Sequence, residues 1–402
     1  MNLPRLAQER AWRARLNPME RYYQQHQHLL IGSVSITVTR APESPPTESS
    51  EPTPAELEAP EAPENPEPDR ARHLVRVFEP GAIAEARELL GAAAKTDGKR
   101  DAATLSRSAA ALDRAARDDG WRSVPWAGPD AVVEPFAGIG PEFANFGGVL
   151  AHLRVQWTLA RRAHRAADAR IDPILLLGPP GVGKSHFATA LADLIGVRMA
   201  IFSAGGAQDA MQLCGTDARW SNARTGMVFD ALSLHDSAAP VLVIDELDKL
   251  AQESTGSRDT PVNTLLDLLE PDSARRYRDM SLQMEMDVSK VIVVCTANER
   301  ASISPPLLSR LTEFHIAAPT ADQRRVILEG YLAALLEAHE CPAGLALDEA
   351  SAEVALAAPD LEVRELLRLA RAGFANALAA ESDRVILTPP RRGVTRQRIG
   401  FI

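Results

Sequence analysis

Eight consecutive residues constrain this chain more than any others: Gly178, Pro179, Pro180, Gly181, Val182, Gly183, Lys184 and Ser185. They follow the short apolar run ILLL at 174–177 and lead into the helical pattern HFATALADLIG, which opens at His186. Strand, glycine-rich loop and helix in that order are the setting a phosphate-binding loop requires. Glycines let backbone N–H groups curl round a phosphate with no Cβ in the way, and the following helix adds its positive N-terminus. Lys184 supplies an ammonium for the β- and γ-phosphates, and Ser185 a hydroxyl for Mg²⁺. The stretch 178–186 is therefore the expected nucleotide site, with ATP and Mg²⁺ as its cofactors. A glycine-rich turn that merely contains Lys-Ser is the bland alternative, and the flanking strand and helix weigh against it.

Further along, Val241, Leu242, Val243 and Ile244 form a second apolar run that ends in Asp245 and Glu246. In an open α/β sheet, groups at the carboxyl ends of the strands face the ligand. Asp245 is expected to hold the Mg²⁺, and Glu246 to orient and deprotonate the attacking water. A third run, VIVVCT at 291–296, is followed by Asn298, placed to reach the γ-phosphate or the water, or else to cap a turn. Next comes SPPLLSR at 304–310, a short helix with prolines at its start and Arg310 at its end.

The rest of the chain divides by composition. Residues 1–40 read as a helix followed by a strand, IGSVSITVT. Residues 41–69 are rich in Pro, Glu, Ser and Ala, an acidic linker too poor in apolar surface to offset its ordering entropy. Residues 70–142 form a helical and loop-rich N-terminal region, in which 70–118 read as helix, and a further helix is expected from about Gly148 to Arg170. Short strands then alternate with helices, the pattern of a parallel sheet. The chain turns helical again from Thr320 and ends in a basic tail at 386–402.

Several function classes are disfavoured. The net charge of −10 works against non-specific binding to nucleic acid, although Arg391, Arg392, Arg396 and Arg398 gather in the tail. Nothing apolar is long enough to span a membrane. The three cysteines, Cys214, Cys295 and Cys341, have neither disulfide nor zinc spacing, which fits a reducing cytoplasm. His26 and His28 lack the carboxylates or cysteines that a metal site would add.

Four stretches together resemble the AAA+ module of Lon proteases: GPPGVGKS at 178–185, VLVIDELDKL at 241–250, LLDLLEPD at 265–272 and VIVVCTANERASISPPLLSRL at 291–311. The resemblance runs from about Phe143 to Asn376. It implies a P-loop NTPase α/β domain at 143–318, a five-stranded parallel sheet sandwiched by helices, and a small α-helical lid at 319–385. It also implies assembly into a ring, most often a hexamer. By the same resemblance Asn298 takes the sensor-1 position and Arg310 that of the arginine finger, which reaches a neighbouring subunit's nucleotide. Arg364 takes the sensor-2 position in the lid, although Glu362 stands where the family has Gly. Phe146 falls beside the expected adenine, where it would stack or simply pack.

Trp220 lies between Gly215 and Gly226 at the position of the family's substrate-gripping pore-loop aromatic, with packing against the lid as the alternative. Only about 20 residues follow the lid, too few for a Ser–Lys protease domain, so any proteolysis is expected from a partner. The leading expectation is thus an ATP-hydrolysing ring that remodels proteins, with a protein substrate or adaptor as its partner. The alternative is a nucleotide-switched loader or regulator of a nucleic-acid or protein machine.

Overall fold

The computed structural model describes residues 71–388, apart from 97–101, 137–138, 140–141, 207–210, 251–259, 340–344 and 359–360. The expected N-terminal helix and strand, the acidic linker and most of the basic tail lie outside the described residues. The chain begins with strand β1 (Leu74–Arg76), helices α1 (Pro80–Thr96) and α2 (Ala102–Ala115), and strand β2 (Trp121–Ser123). Helix α3 (Gly147–Arg161) leads to β3 (Ile174–Leu177), α4 (Lys184–Ile195), β4 (Met199–Ser203), α5 (Met227–Ser233) and β5 (Val241–Asp245). Then come α6 (Pro261–Leu269), the hairpin β6 (Tyr277–Asp279) and β7 (Met284–Met286), β8 (Ile292–Ala297) and β9 (Thr312–His315). The final group is α7 (Ala321–Ala338), β10 (Ala346–Leu347), α8 (Glu349–Ala357), α9 (Val363–Ala379) and β11 (Arg384–Val385).

Five strands make one parallel sheet in the order β4-β5-β8-β3-β9. The central strands carry no outward polar residues: all four positions of β3 and all six of β8 are buried. Unbroken apolar runs of this kind suit a parallel sheet covered by helices on both faces. The chain leaves β3 for the far edge at β4 and returns through β5 and β8. A crevice opens where such an order reverses, at the strands' carboxyl ends.

Two hydrophobic cores result. The larger runs from Val75 to Ile316, crossing the expected boundary at 142–143, and the smaller from Leu328 to Leu387. Helix α7 begins with a capping box: the Thr320 hydroxyl accepts from the Gln323 N–H while the Gln323 side chain accepts from the Thr320 N–H.

Two expectations need correction. Residues 70–118 are not all helix, because β1 precedes α1 and pairs antiparallel with β2. Val75 and Val77 are buried at a period of two, a pattern too short to stand out beside the alanine-rich helices. Helix α3 ends at Arg161 rather than Arg170. Its buried stripe stops at Trp157 and Ala160, and Arg165 pairs with Asp168 across a short 3₁₀ turn instead.

The segment before α3 is tied into the main core by one buried arginine. Arg122 donates to the carbonyls of Arg114 at 2.9 Å, Arg117 at 2.9 Å, Trp121 at 2.8 Å and Leu232 at 3.2 Å. Its guanidinium also sits 5.2 Å from the Phe78 ring centre. Burial pushes its pKa down, with Arg117 adding to the effect. The last-turn carbonyls of α2 compensate, since a helix C-terminus favours a cation. Ser123 completes the junction, donating its N–H to Asp236 and accepting from the Ala238 N–H. Arg122→Met should destabilise the protein by about 3 kcal/mol, because several buried carbonyls lose their donor at once. Chemical denaturation of the two proteins would check this, and an unchanged midpoint would mean that the junction contributes nothing.

Candidate functional site

The phosphate-binding loop joins the end of β3 to the start of α4, with Gly181 at φ +83° and Gly183 at φ +101°. Lys184 is buried to 8% exposure. Its ammonium donates to the Gly178 carbonyl at 2.7 Å, the Pro179 carbonyl at 2.9 Å and Asn298 Oδ1 at 2.9 Å. Burial lowers its pKa, while Asp248 and Asp245 pull it back up. Asn298 is thus brought onto the P-loop lysine, a contact the two sequence alternatives did not include.

Across the crevice, Ser185 Oγ donates to Asp245 Oδ1 at 2.9 Å. Thr296, at 2% exposure, donates its hydroxyl to the same oxygen at 2.5 Å and accepts from the Glu246 N–H at 3.1 Å. Thr296 therefore fixes both acids from the neighbouring strand. It went unnoticed in the sequence, where a threonine in an apolar run reads as an ordinary strand residue. Glu246 has φ +59°, a left-handed backbone that is uncommon for a residue with a side chain. Its carboxylate accepts from Lys249 Nζ at 2.5 Å, and this bond raises the lysine's pKa. Asp248 accepts from the N–H groups of Asn298 and Glu299, each at 3.2 Å. It too was missed, although it lies in the matching run 241–250.

The surroundings of four other expected residues follow. Arg310 turns back on its own chain, donating to Glu270 Oε2 and the Pro306 carbonyl, both at 2.9 Å. Phe146 is at 1% exposure and stacks on Phe187 with centroids 4.7 Å apart and planes 8° from parallel. Of its two expected roles, packing is the one this geometry displays. His186 leaves the loop to meet Glu142 Oε1 at 2.7 Å, a bond that raises its pKa. Arg364 is exposed in the first turn of α9, and the lid residue that meets the P-loop is Glu362.

Trp220 lies in the loop between Gly215 and Gly226, with 47% of its surface exposed. The loop is closed at its neck, where the Thr216 N–H donates to the Arg224 carbonyl at 3.0 Å and the Arg224 N–H to Thr216 Oγ1 at 2.7 Å. Gly226 allows the closure, since a Cβ there would lie 2.2 Å from the Leu213 carbonyl oxygen. Asp279 secures it from β6, accepting from the Gly226 N–H at 2.7 Å and from Ser281 and Leu282. Burial pushes the Asp279 carboxyl up to about 6 against those four donated hydrogen bonds. A large aromatic is therefore held out in solvent on a well-fastened base.

Comparison with known proteins agrees with this geometry. Residues 174–319 match the family described as ATPase family associated with various cellular activities (AAA). The mitochondrial Lon protease homolog of Phaeodactylum tricornutum is 36% identical over 159 residues, covering 40% of this chain and 18% of that protein. Lon protease 1 of Borreliella burgdorferi is 34% identical over 159 residues, covering 40% and 19%. The chain thus spans less than a fifth of the length of these relatives. Among solved structures, the Thermotoga maritima RuvB Holliday junction branch migration motor has a TM-score of 0.38 at 18% identity, over 58% of this chain and 64% of that one. A parallel five-stranded P-loop sheet with the AAA sequence pattern across it makes residues 174–319 an AAA module similar to the ATPase region of Lon proteases.

Proposed function

We propose that this chain binds ATP with Mg²⁺ at the carboxyl edge of its sheet and hydrolyses it, as one subunit of a ring that remodels protein substrates. The observation that carries the reading is the 2.9 Å contact between Ser185 Oγ and Asp245 Oδ1, with Lys184 and Glu246 each one residue away. Two hard oxygen donors suit an Mg²⁺ ion, which takes one or two protein ligands and completes its shell with phosphate and water. Among the described residues no fuller cluster of three His, Cys, Asp or Glu competes for that role. When bound, the ion would help neutralise the negative charge of the phosphates.

The chain's own residues supply the remaining roles. Amides of 181–185 and the N-terminus of α4 bind phosphate, and Lys184 neutralises its charge. Glu246 takes the proton of the attacking water once it leaves Lys249, while Asn298 and Arg364 orient groups near the γ-phosphate. Arg310 exchanges Glu270 for the nucleotide of the next subunit, so each active site would combine residues from two copies. The exposed Trp220 grips the substrate, and lid motion about 319–385 moves it.

Steady-state ATPase activity against protein concentration tests the shared site. Glu246→Gln should lower the rate by roughly 10²-fold or more through loss of the general base. Arg310→Ala should lower it by about 10³-fold, in the range of trans arginines in related chemistry. A mixture of the two inactive variants should regain part of the activity, because some interfaces pair an intact Glu246 with an intact Arg310. No recovery in the mixture, or a wild-type rate per subunit independent of concentration, would count against a shared site. Trp220→Ala should abolish unfolding of a fluorescent protein substrate with ATP binding intact, and Trp220→Tyr should retain part of it. Equal unfolding by Trp220→Ala and wild type would remove the pore-loop role.

A further inference from the structure

The lid reaches the phosphate-binding loop through a carboxylate. Glu362 is the N-cap of α9, with extended backbone at φ −63° and ψ 151°. Short polar side chains at that position turn inward to accept from the first free N–H groups of the helix. The Glu362 side chain makes no such cap bond. It extends instead to the P-loop, where a Cβ built on Gly181 would lie 2.5 Å from Glu362 Oε2 and 3.0 Å from its Cδ. Gly181, at φ +83°, sets no side chain in the way of this approach.

A carboxylate thus stands beside the P-loop, whose backbone amides favour anions. Glu362 is itself exposed, so its side chain can move. We propose that Glu362 is an internal competitor for the nucleotide's phosphates, a lid residue that sets nucleotide affinity and discriminates by phosphate charge. The proposal rests on the nucleotide-site reading above. A phosphate entering the cradle meets a negative charge beside Gly181, and the repulsion grows with the number of phosphates. Relief comes when the carboxylate swings back onto the first-turn N–H groups of α9, which links phosphate occupancy to movement of the lid. Neither sequence pattern nor the loop motif demands an acid here, and a neutral residue would leave the cradle open.

Calorimetric titration of wild type, Glu362→Gln, Glu362→Ala and Lys184→Ala with ATP, ADP and adenosine, all with Mg²⁺, tests this. Loss of one negative charge a few ångströms from the phosphates in a solvent-accessible cleft should tighten ATP binding by roughly five-fold. ADP should gain less, and adenosine should not change. Glu362→Gln and Glu362→Ala should behave alike, since the effect is one of charge. Unchanged or weaker ATP binding in both variants would overturn the proposal, as would a gain in Glu362→Ala alone, which would point to bulk. An equal gain for adenosine would point to a general loosening of the lid and overturn it as well. Wild type that binds no nucleotide, or Lys184→Ala that binds as well as wild type, would instead overturn the nucleotide-site reading itself.

Discussion

A parallel sheet covered on both faces has one place to present chemistry, the carboxyl ends of its strands. Everything in the candidate site follows from that constraint. The P-loop leaves β3, Asp245 and Glu246 close β5, and Thr296 and Asn298 close β8. Because β8 lies between β5 and β3, its hydroxyl reaches the acids on one side and its amide reaches Lys184 on the other. Hydrogen bonding between strands fixes this register, pairing Leu177 with Ala297 and Ile244 with Cys295. A shift of one residue in β8 would turn Thr296 away from Asp245, as every side chain in a strand changes face on such a slip.

Local signals made part of this legible in the sequence. The P-loop announces itself because its glycines, lysine and serine are contiguous and set between a strand and a helix. Asp245 and Glu246 stand out because two acids end an apolar run. A parallel sheet followed from the alternation of short strands with helices, and its five strands from the resemblance to the Lon AAA+ module. Thr296 and Asp248 were not legible, since their roles arise from pairing between strands that are distant in the chain. Helix α3 was drawn too long because alanine and arginine favour helix whether or not a core lies beneath them. The strand β1 was hidden for the opposite reason: three residues are too few to show a period, and its partner β2 arrives only after two helices.

Among the residues expected to face the nucleotide, Phe146 and Arg364 were placed by resemblance alone. Position along the chain located both near the P-loop, but side-chain direction depends on neighbours. Phe146 is claimed by Phe187 and Phe143, which hold it edge and face within the core. In the lid, the departure at Glu362 proved as informative as the arginine that follows it. A long acid in place of the smallest residue fills space that the loop leaves at Gly181.

The charged groups of the crevice divide into a fixed frame and an exchangeable set, and exposure decides which is which. Lys184 and Thr296 are buried, and their hydrogen bonds are costly to lose. In the structure described they hold the loop and the acids in place. Glu246 with Lys249, and Arg310 with Glu270, remain between 32% and 53% exposed. Ion pairs of that exposure are worth little, because water screens them and long side chains resist being held. Phosphate, an attacking water or a neighbouring subunit can therefore displace such partners at small cost. The residues assigned to catalysis are thus the ones the fold leaves free to change partners, while those assigned to positioning are the ones it has locked.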